Sequence, residues 1–273
     1  MAMKALILDL DNTLYSWMEA YTPSFLAQVG YLAERTQINE EIIKDNFRSV
    51  FKKYGSVEIP SAVYELKIWE DINIPSELLK DILSNSQKIF FDKFQQSICL
   101  FPNVKDTLDW AKKNSILIFG FSDAFSFWIN YRLQCLSIER YFETVFAIDD
   151  GIIMHSELVK KSIRSSNIIS IPIQYTKPNT FVIDRIINEY GIERENIYMI
   201  GDSIEKDIVM AKNANVKDIW AEYGTKYKRG YGSVLRSITP WSRTKQKKEG
   251  VFQRKIESTY IISDFAEIKD IIS

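Results

Sequence analysis

Leu6-Ile7-Leu8-Asp9-Leu10-Asp11-Asn12-Thr13-Leu14 runs from an apolar stretch straight into polar residues. The run from Lys4 to Leu10 is short, branched and apolar, which reads as a parallel strand buried on both faces. Two carboxylates, Asp9 and Asp11, stand two positions apart where that strand ends. Open α/β sheets hold ligands in the crevice beyond the carboxyl ends of their strands, so a site is expected here.

Working outward, three other stretches have the character of the same crevice. Ile197-Tyr198-Met199-Ile200 is a second buried run, ending in Gly201-Asp202-Ser203-Ile204-Glu205-Lys206-Asp207. Ser115 to Phe121 is a third, followed by the hydroxyl of Ser122. Lys177 stands in Tyr175-Thr176-Lys177-Pro178-Asn179, just ahead of the helical pattern Phe181 to Tyr190, and Pro178 suits that helix's first turn. Carboxylates sharing one pocket repel, by about 4 kcal/mol for two charges 4 Å apart at an effective dielectric near 20. Asp9, Asp11, Asp202 and Asp207 therefore call for a cation. Oxygen ligands without His or Cys favour a hard ion, and an incompletely caged site suits Mg2+ better than Ca2+. A lone His155 and the separated Cys99 and Cys135 do not make a zinc site.

These stretches, in this order, resemble the haloacid dehalogenase superfamily: DxDxT at the first strand, Ser or Thr at the second, Lys before a helix, GDxxxxD at a later strand. The resemblance implies a Rossmann-like α/β fold, a parallel sheet flanked by helices with an inserted all-helical cap. The core is then discontinuous, residues 1–14 and 100–273, and the cap is 15–99. The resemblance makes Asp9 the nucleophile, Asp11 the general acid/base, Ser122 and Lys177 the phosphoryl binders, and Asp202 with Asp207 the acidic metal pair.

The chemistry agrees with those roles. A carboxylate attacking phosphorus splits a slow hydrolysis into two displacements through an aspartyl phosphate, and Asp9, nearer the rigid strand, is the better nucleophile. Asp11 can protonate the leaving oxygen and later deprotonate water. Mg2+, Lys177, Ser122 and loop amides would stabilise the charge spread over the transferred group. A halide leaving group needs no acid, and dehalogenases of the superfamily typically lack a carboxylate at position 11. The expected function is thus a Mg2+-dependent phosphatase acting on a small phosphomonoester such as a sugar phosphate or nucleotide. A sugar phosphomutase, which keeps the same acids, stays open. A third reading is a nucleic-acid or protein-binding module with a vestigial site, and retention of every acid opposes it.

Between the first and second motifs the patterns are helical. Thr22-Pro23 is a candidate helix start, with Phe25, Leu26, Val29, Leu32 and Ala33 at helical spacing. Asn39 before Glu40 and Glu41 reads as a capped start. Ser61 to Ile72 and Ser76 to Phe94 complete four expected helices, which the resemblance names a C1-type cap able to close over the site. Tyr15, Trp17, Tyr21, Tyr54, Tyr64 and Trp69 are expected to pack between cap helices more often than to line the closure. Phe101-Pro102-Asn103 marks the return to the core, with a helix over Val104 to Lys113.

The chain also departs from the family pattern. Asp123 stands where many relatives carry Asn, adding an acid beside a phosphate site unless it caps the next helix or turns away. The interval from Ser122 to Lys177 is long, with the excess after Asp149-Asp150-Gly151, so Lys160 and Lys161 compete for the lysine role. Lys177 is preferred for its Lys-Pro step and following amphipathic helix. His155 is expected to be a surface or packing residue. Residues 223–259, after the strand Lys217 to Ala221, are rich in Lys and Arg, and a solvated, mobile loop is the commoner explanation. The alternative is an anion-binding flap, and Tyr231 and Trp241 among the cations allow a nucleotide or single-stranded nucleic acid. Tyr260 to Ile262 and Asp264 to Ile272 resume a strand and helix.

The 273 residues suffice for one large core, or a core with a smaller attachment. With 35 Lys and Arg against 36 Asp and Glu, general attraction to nucleic acid or membrane is not expected. Two cysteines imply no disulfide framework and a reducing compartment; both are expected to be small buried hydrophobes. The N-terminal apolar run is too short for a signal peptide and no stretch is long enough to cross a bilayer, so a soluble cytoplasmic protein is expected.

Overall fold

The first strand, β1 (Ala5–Leu8), is buried at every residue. It lies at the centre of a seven-stranded, all-parallel sheet in the order β4-β3-β2-β1-β5-β6-β7. The computed structural model describes residues 3–153, 156–162, 165–239 and 256–272. Strands β2 (Leu117–Phe125), β3 (Thr144–Ile148) and β4 (Ile168–Ile171) build outward on one side of β1. On the other side come β5 (Ile197–Gly201), β6 (Lys217–Ala221) and β7 (Tyr260–Ile262). The four apolar runs at β1, β2, β5 and β6 form strands where their patterning predicts. The inner strand β3 and the edge strand β4 have no counterpart in that patterning: β4 is a half-buried four-residue piece whose pairing with β3 supplies what its own pattern lacks.

Strand order reverses between β2 and β5, which flank β1, and loops leaving the sheet there diverge and open a crevice. The register sets its contents. Leu8 lies opposite Ile200, and the Asp9 amide donates to the Ile200 carbonyl at 2.9 Å. Asp9 and Asp202 therefore leave neighbouring strand ends on the same side of the molecule.

The chain between β1 and β2 carries α1 (Trp17–Thr36), α2 (Glu40–Tyr54) and α3 (Ser76–Ser97), then α4 (Val104–Lys113). Asn39 caps α2 as expected, its Oδ1 accepting from the Glu41 amide. Helix α1 begins earlier than the Thr22-Pro23 start: Ser16 caps it, and Pro23 lies inside. The ring removes one helical hydrogen bond, and burial of Tyr21, Phe25, Val29 and Leu32 along the same helix outweighs the loss. The expected helix over 61–72 is instead two 3₁₀ turns, Ala62–Glu65 and Lys67–Trp69. There Glu65 is drawn to Lys53 and Tyr54, and the Trp69 indole donates to the Val63 carbonyl, folding the chain back on itself. The insertion thus has three α-helices, not four.

Its two ends lie side by side. Tyr15 bridges to Leu100, and the Phe101 amide donates to the Leu14 carbonyl at 2.9 Å. The insertion is also held by rings: Phe90, Phe91 and Phe94 of α3 pack on Trp128 of α5 (Ser126–Leu136), with Phe91 and Trp128 stacked at 5.3 Å.

The remaining helices among the described residues are α6 (Glu157–Lys161), α7 (Phe181–Tyr190), α8 (Val209–Asn213), α9 (Tyr231–Ile238) and α10 (Ile268–Ile272). Helix α9 falls within the basic stretch 223–259 and packs against α1 and α2, with Gly232 and Ile238 buried. This part is therefore a docked helix rather than a solvated loop. Trp241 and residues 240–255, like His155, lie outside the described residues. No helix among the described residues is long and apolar enough to cross a membrane.

Candidate active site

Asp9, directly after β1, is 7% exposed. Its Oδ2 accepts the Thr13 hydroxyl at 2.7 Å, and its Oδ1 accepts the Lys177 ammonium at 2.5 Å. The same ammonium lies 2.8 Å from Asp207 Oδ1. Carboxylate oxygens of Asp9, Asp202 and Asp207 all fall within 4.8 Å of one another. Four side chains from three distant stretches thus meet at one point. Lys160 and Lys161 do not: both pair with Glu157 on α6, largely in solvent.

Local backbone explains the aim of the acids. After Gly201 the chain makes a π-helical turn, Ile204–Ile208, and the Ser203 carbonyl accepts from both the Asp207 and Ile208 amides. The wider turn carries Asp207 back over the strand end, where its Oδ2 accepts the Ser203 amide at 3.0 Å. Gly201 leaves the room: a Cβ there would fall 2.2 Å from Asp207 Cγ. Gly224 does the same for the first loop, since its Cβ would sit 1.9 Å from the Asn12 carbonyl oxygen. The Tyr223 hydroxyl donates to the Thr13 carbonyl at 2.6 Å, and the Trp220 indole to the Asp202 carbonyl at 2.8 Å. The end of β6 and the chain just after it therefore brace both acidic loops.

Burial pushes the Asp9 carboxyl up to about 7, opposed by the Lys177 charge and reinforced by Asp207. Asp202 is raised as well, by burial and then by the charges of Asp9 and Asp207. Burial alone would lower Lys177; Asp207, Asp9 and Asp123 outweigh it and hold the ammonium charged. Three carboxylates face one ammonium, leaving a surplus of negative charge among hard oxygen donors. That donor set fits a small divalent cation such as Mg2+.

The Asp11 carboxylate stands apart from this trio. Its Oδ2 accepts the Ser122 hydroxyl at 3.0 Å, and its Oδ1 accepts Arg132 Nη1 at 2.6 Å. Ser122, expected just after the strand, lies buried within β2, which runs on to Phe125 through a register shift, and is thereby placed beside Asp11. Arg132, fully buried on α5, also donates through Nη2 to Glu58 Oε1, which accepts the Trp17 indole at 2.7 Å as well. Neither Arg132 nor Glu58 was anticipated. A signal existed: Ser126–Leu136 is apolar on nearly every side, and an arginine within such a helix needs a buried anion. Among the aromatic candidates, Trp17 reaches this network; Tyr21 stacks on Trp17 and bonds the Val57 carbonyl, Trp69 bonds the Val63 carbonyl, and Tyr64 is exposed.

Asp123 neither caps a helix nor turns away. Its Oδ1 accepts the Lys177 backbone amide at 3.0 Å, and its Oδ2 pairs with Lys206 at 2.9 Å. Pro178 follows through a cis peptide bond in the turn before α7, so Lys177 sits in that turn rather than at the helix start itself. The cap of α5 is Asp150, accepting the Phe127 amide and the Ser126 hydroxyl. Contrary to expectation Cys99 is exposed and Cys135 half-buried; both are free thiols.

A family model described as hydrolase, haloacid dehalogenase-like hydrolase, matches residues 3–215. A glycerol-3-phosphate phosphatase of Rattus norvegicus is 25% identical over 92 residues, 34% of this chain and 25% of that protein. The chain thus matches about a quarter of that relative's length. Among solved structures, a 2-haloacid dehalogenase from Pseudomonas syringae pv. Tomato DC3000 superposes with a TM-score of 0.58 at 16% identity, covering 99% of this chain and 98% of that one. A HAD phosphatase from Thermococcus onnurineus gives 0.57 at 17% identity, with 99% and 98% covered. At such identities the likeness to the solved structures is one of fold.

Proposed function

The chain belongs to the haloacid dehalogenase-like hydrolase family, and we propose that it is a Mg2+-dependent phosphatase acting on a small phosphomonoester through an aspartyl phosphate. The observation that carries this reading is the Lys177 ammonium bridging Asp9 and Asp207 beside Asp202, with Asp11 two residues beyond Asp9 on the same loop. The names of relatives such as the rat glycerol-3-phosphate phosphatase support the substrate class.

Asp9, Asp202 and Asp207 would hold the Mg2+, which when bound supplies positive charge opposite the transferred phosphoryl oxygens. Lys177 adds a second positive charge at the same place and holds Asp9 in one rotamer. A carboxylate oxygen of Asp9 attacks phosphorus, the ester P–O bond breaks, and Asp11 gives its proton to the departing alkoxide. Asp11, now a carboxylate, takes a proton from water; the water oxygen bonds phosphorus and the Asp9–phosphorus bond breaks, releasing phosphate. Ser122, bonded to Asp11, is placed to donate to a phosphoryl oxygen when substrate enters. The three-helix insertion serves as a cap over residues 15–99, excluding water while the acyl phosphate exists. Asp11 acts here through its proton; its carboxylate is not in the metal group. Two unpaired thiols suit a reducing compartment such as the cytoplasm.

A panel of sugar phosphates, nucleotides and p-nitrophenyl phosphate, assayed with Mg2+ and with chelator, tests the reading. Release of free phosphate that requires Mg2+ and disappears in Asp9→Asn is expected. Return of labelled phosphate to sugar would point instead to a mutase.

A further inference from the structure

The Asp11–Arg132–Glu58 chain extends beyond what the phosphoryl chemistry uses. In the phosphatase reading, on which this inference rests, Asp11 protonates the leaving oxygen, so the alcohol part of the substrate lies on the Asp11 side, away from the metal group. Glu58, delivered by the insertion, is what stands there next. It is 9% exposed, and only its Oε1 is engaged, by Arg132 and Trp17. Among the described residues its Oε2 accepts no hydrogen bond. Arg132 is not available to a ligand: it is 0% exposed, has one terminal nitrogen on Asp11 and the other on Glu58, and lies 5.8 and 5.7 Å from the ring centres of Phe94 and Trp128. The one sealed guanidinium is shared between Glu58 and Asp11, and Asp11 carries the proton it gives to the leaving oxygen, so what this wall offers the alcohol part is the spare carboxylate oxygen of Glu58.

We infer that Glu58 is a specificity-determining residue that selects phosphomonoesters whose alcohol part is a neutral polyol or carries an amine, and disfavours those whose alcohol carries a carboxylate. A hydroxyl or ammonium hydrogen satisfies Oε2, whereas a carboxylate there meets a like charge whose guanidinium partner is already taken.

The test is calorimetric binding to Asp9→Asn protein with Mg2+ present, which needs no turnover. Glycerol 3-phosphate and O-phosphoethanolamine are expected to bind at least tenfold more tightly than 2-phosphoglycolate, and Glu58→Gln in the same background to narrow that gap to threefold or less. Equal or tighter binding of phosphoglycolate, binding of none of the three, or a gap that survives Glu58→Gln overturns the assignment. Should the double variant not fold, the comparison in Asp9→Asn alone decides. Hydrolysis by the wild type is measured separately: turnover of phosphomonoesters without the preference removes this inference alone, whereas no turnover of any ester removes the phosphatase reading and this inference with it.

Discussion

Gly201 and Asp207 are packed so closely that no side chain fits between them: a Cβ on Gly201 would lie 2.2 Å from Asp207 Cγ. Six residues apart along the chain, they define where the second acidic loop can run. Gly201→Ala must push Asp207 off the Lys177 ammonium or bend β5. Overpacking of this kind costs about 1–3 kcal/mol. The variant is expected to melt several degrees lower and to lose at least tenfold in kcat on any substrate of the wild type. An unshifted melting curve with full activity would show that the loop tolerates another path.

The three crowded carboxylates imply a linkage between metal and stability. Mg2+ bound by the native state alone stabilises it by about 2.7 kcal/mol at a hundredfold excess over its Kd. Thermal melts of the wild type are expected to rise with Mg2+. Asp202→Asn is expected to melt higher than the wild type in chelator, because one of three repelling charges is gone, and to gain little from Mg2+. A wild type indifferent to Mg2+ would count against the metal site.

Asp9 and Asp11 should fail differently. Asp9→Asn is expected to reduce turnover by three orders of magnitude or more and to form no acyl phosphate. Asp11→Asn is expected to form phosphoenzyme from acetyl phosphate, whose leaving group needs no proton, and to release it slowly. Acid-quenched labelling distinguishes them, and rapid turnover of unactivated esters by Asp11→Asn would remove the acid/base assignment.

Asp123 fastens the lysine loop, accepting the Lys177 amide and pairing with Lys206. Asp123→Ala leaves a backbone amide without its acceptor, at about 1–3 kcal/mol, and releases the loop from β2. A kcat reduced about tenfold, with Asp123→Asn restoring most of it through the amide's carbonyl oxygen, is the expected pattern. Equal losses in both variants would instead implicate the Lys206 pair.

Asp218 ties β6 to the start of β7: it accepts the Thr259 amide and hydroxyl, the Ser258 hydroxyl and the Lys212 ammonium. Burial would raise its carboxyl, but these donors outweigh burial and hold it below the ordinary value of 3.8. A depressed carboxyl stabilises the fold at pH values above that ordinary value and loses the contribution as pH falls through the lower folded one. Asp218→Asn is therefore expected to lower wild-type stability by about 1–3 kcal/mol at pH 7, with the difference shrinking in acid. Urea melts at pH 7 and near pH 3 measure it; a constant difference would mean the charge is not what matters.

What could be read from the chain alone was local. Buried strands announce themselves as short branched runs, so β1, β2, β5 and β6 were legible, and with them the strand ends that carry Asp9 and Asp202, while Ser122 lies within β2, which runs on to Phe125. The Asn39 cap and the periodicity of α2, α3, α4 and α7 were legible for the same reason: the interactions that set them lie within a few residues.

Whatever depends on partners far along the chain was decided only in three dimensions. Residues 61–72 have a helical pattern yet become 3₁₀ turns, because Lys53 and Tyr54 draw Glu65 to themselves and the Trp69 indole turns back on the Val63 carbonyl. Asp123 reads as a liability until Lys177, 54 residues on, arrives with an amide to donate. Arg132 and Glu58, 74 residues apart, have no spacing that marks them as a pair. Spacing encodes which groups share a turn or a face; it does not encode which buried charge a distant loop will be carried to neutralise, and that choice belongs to the packing of the whole chain.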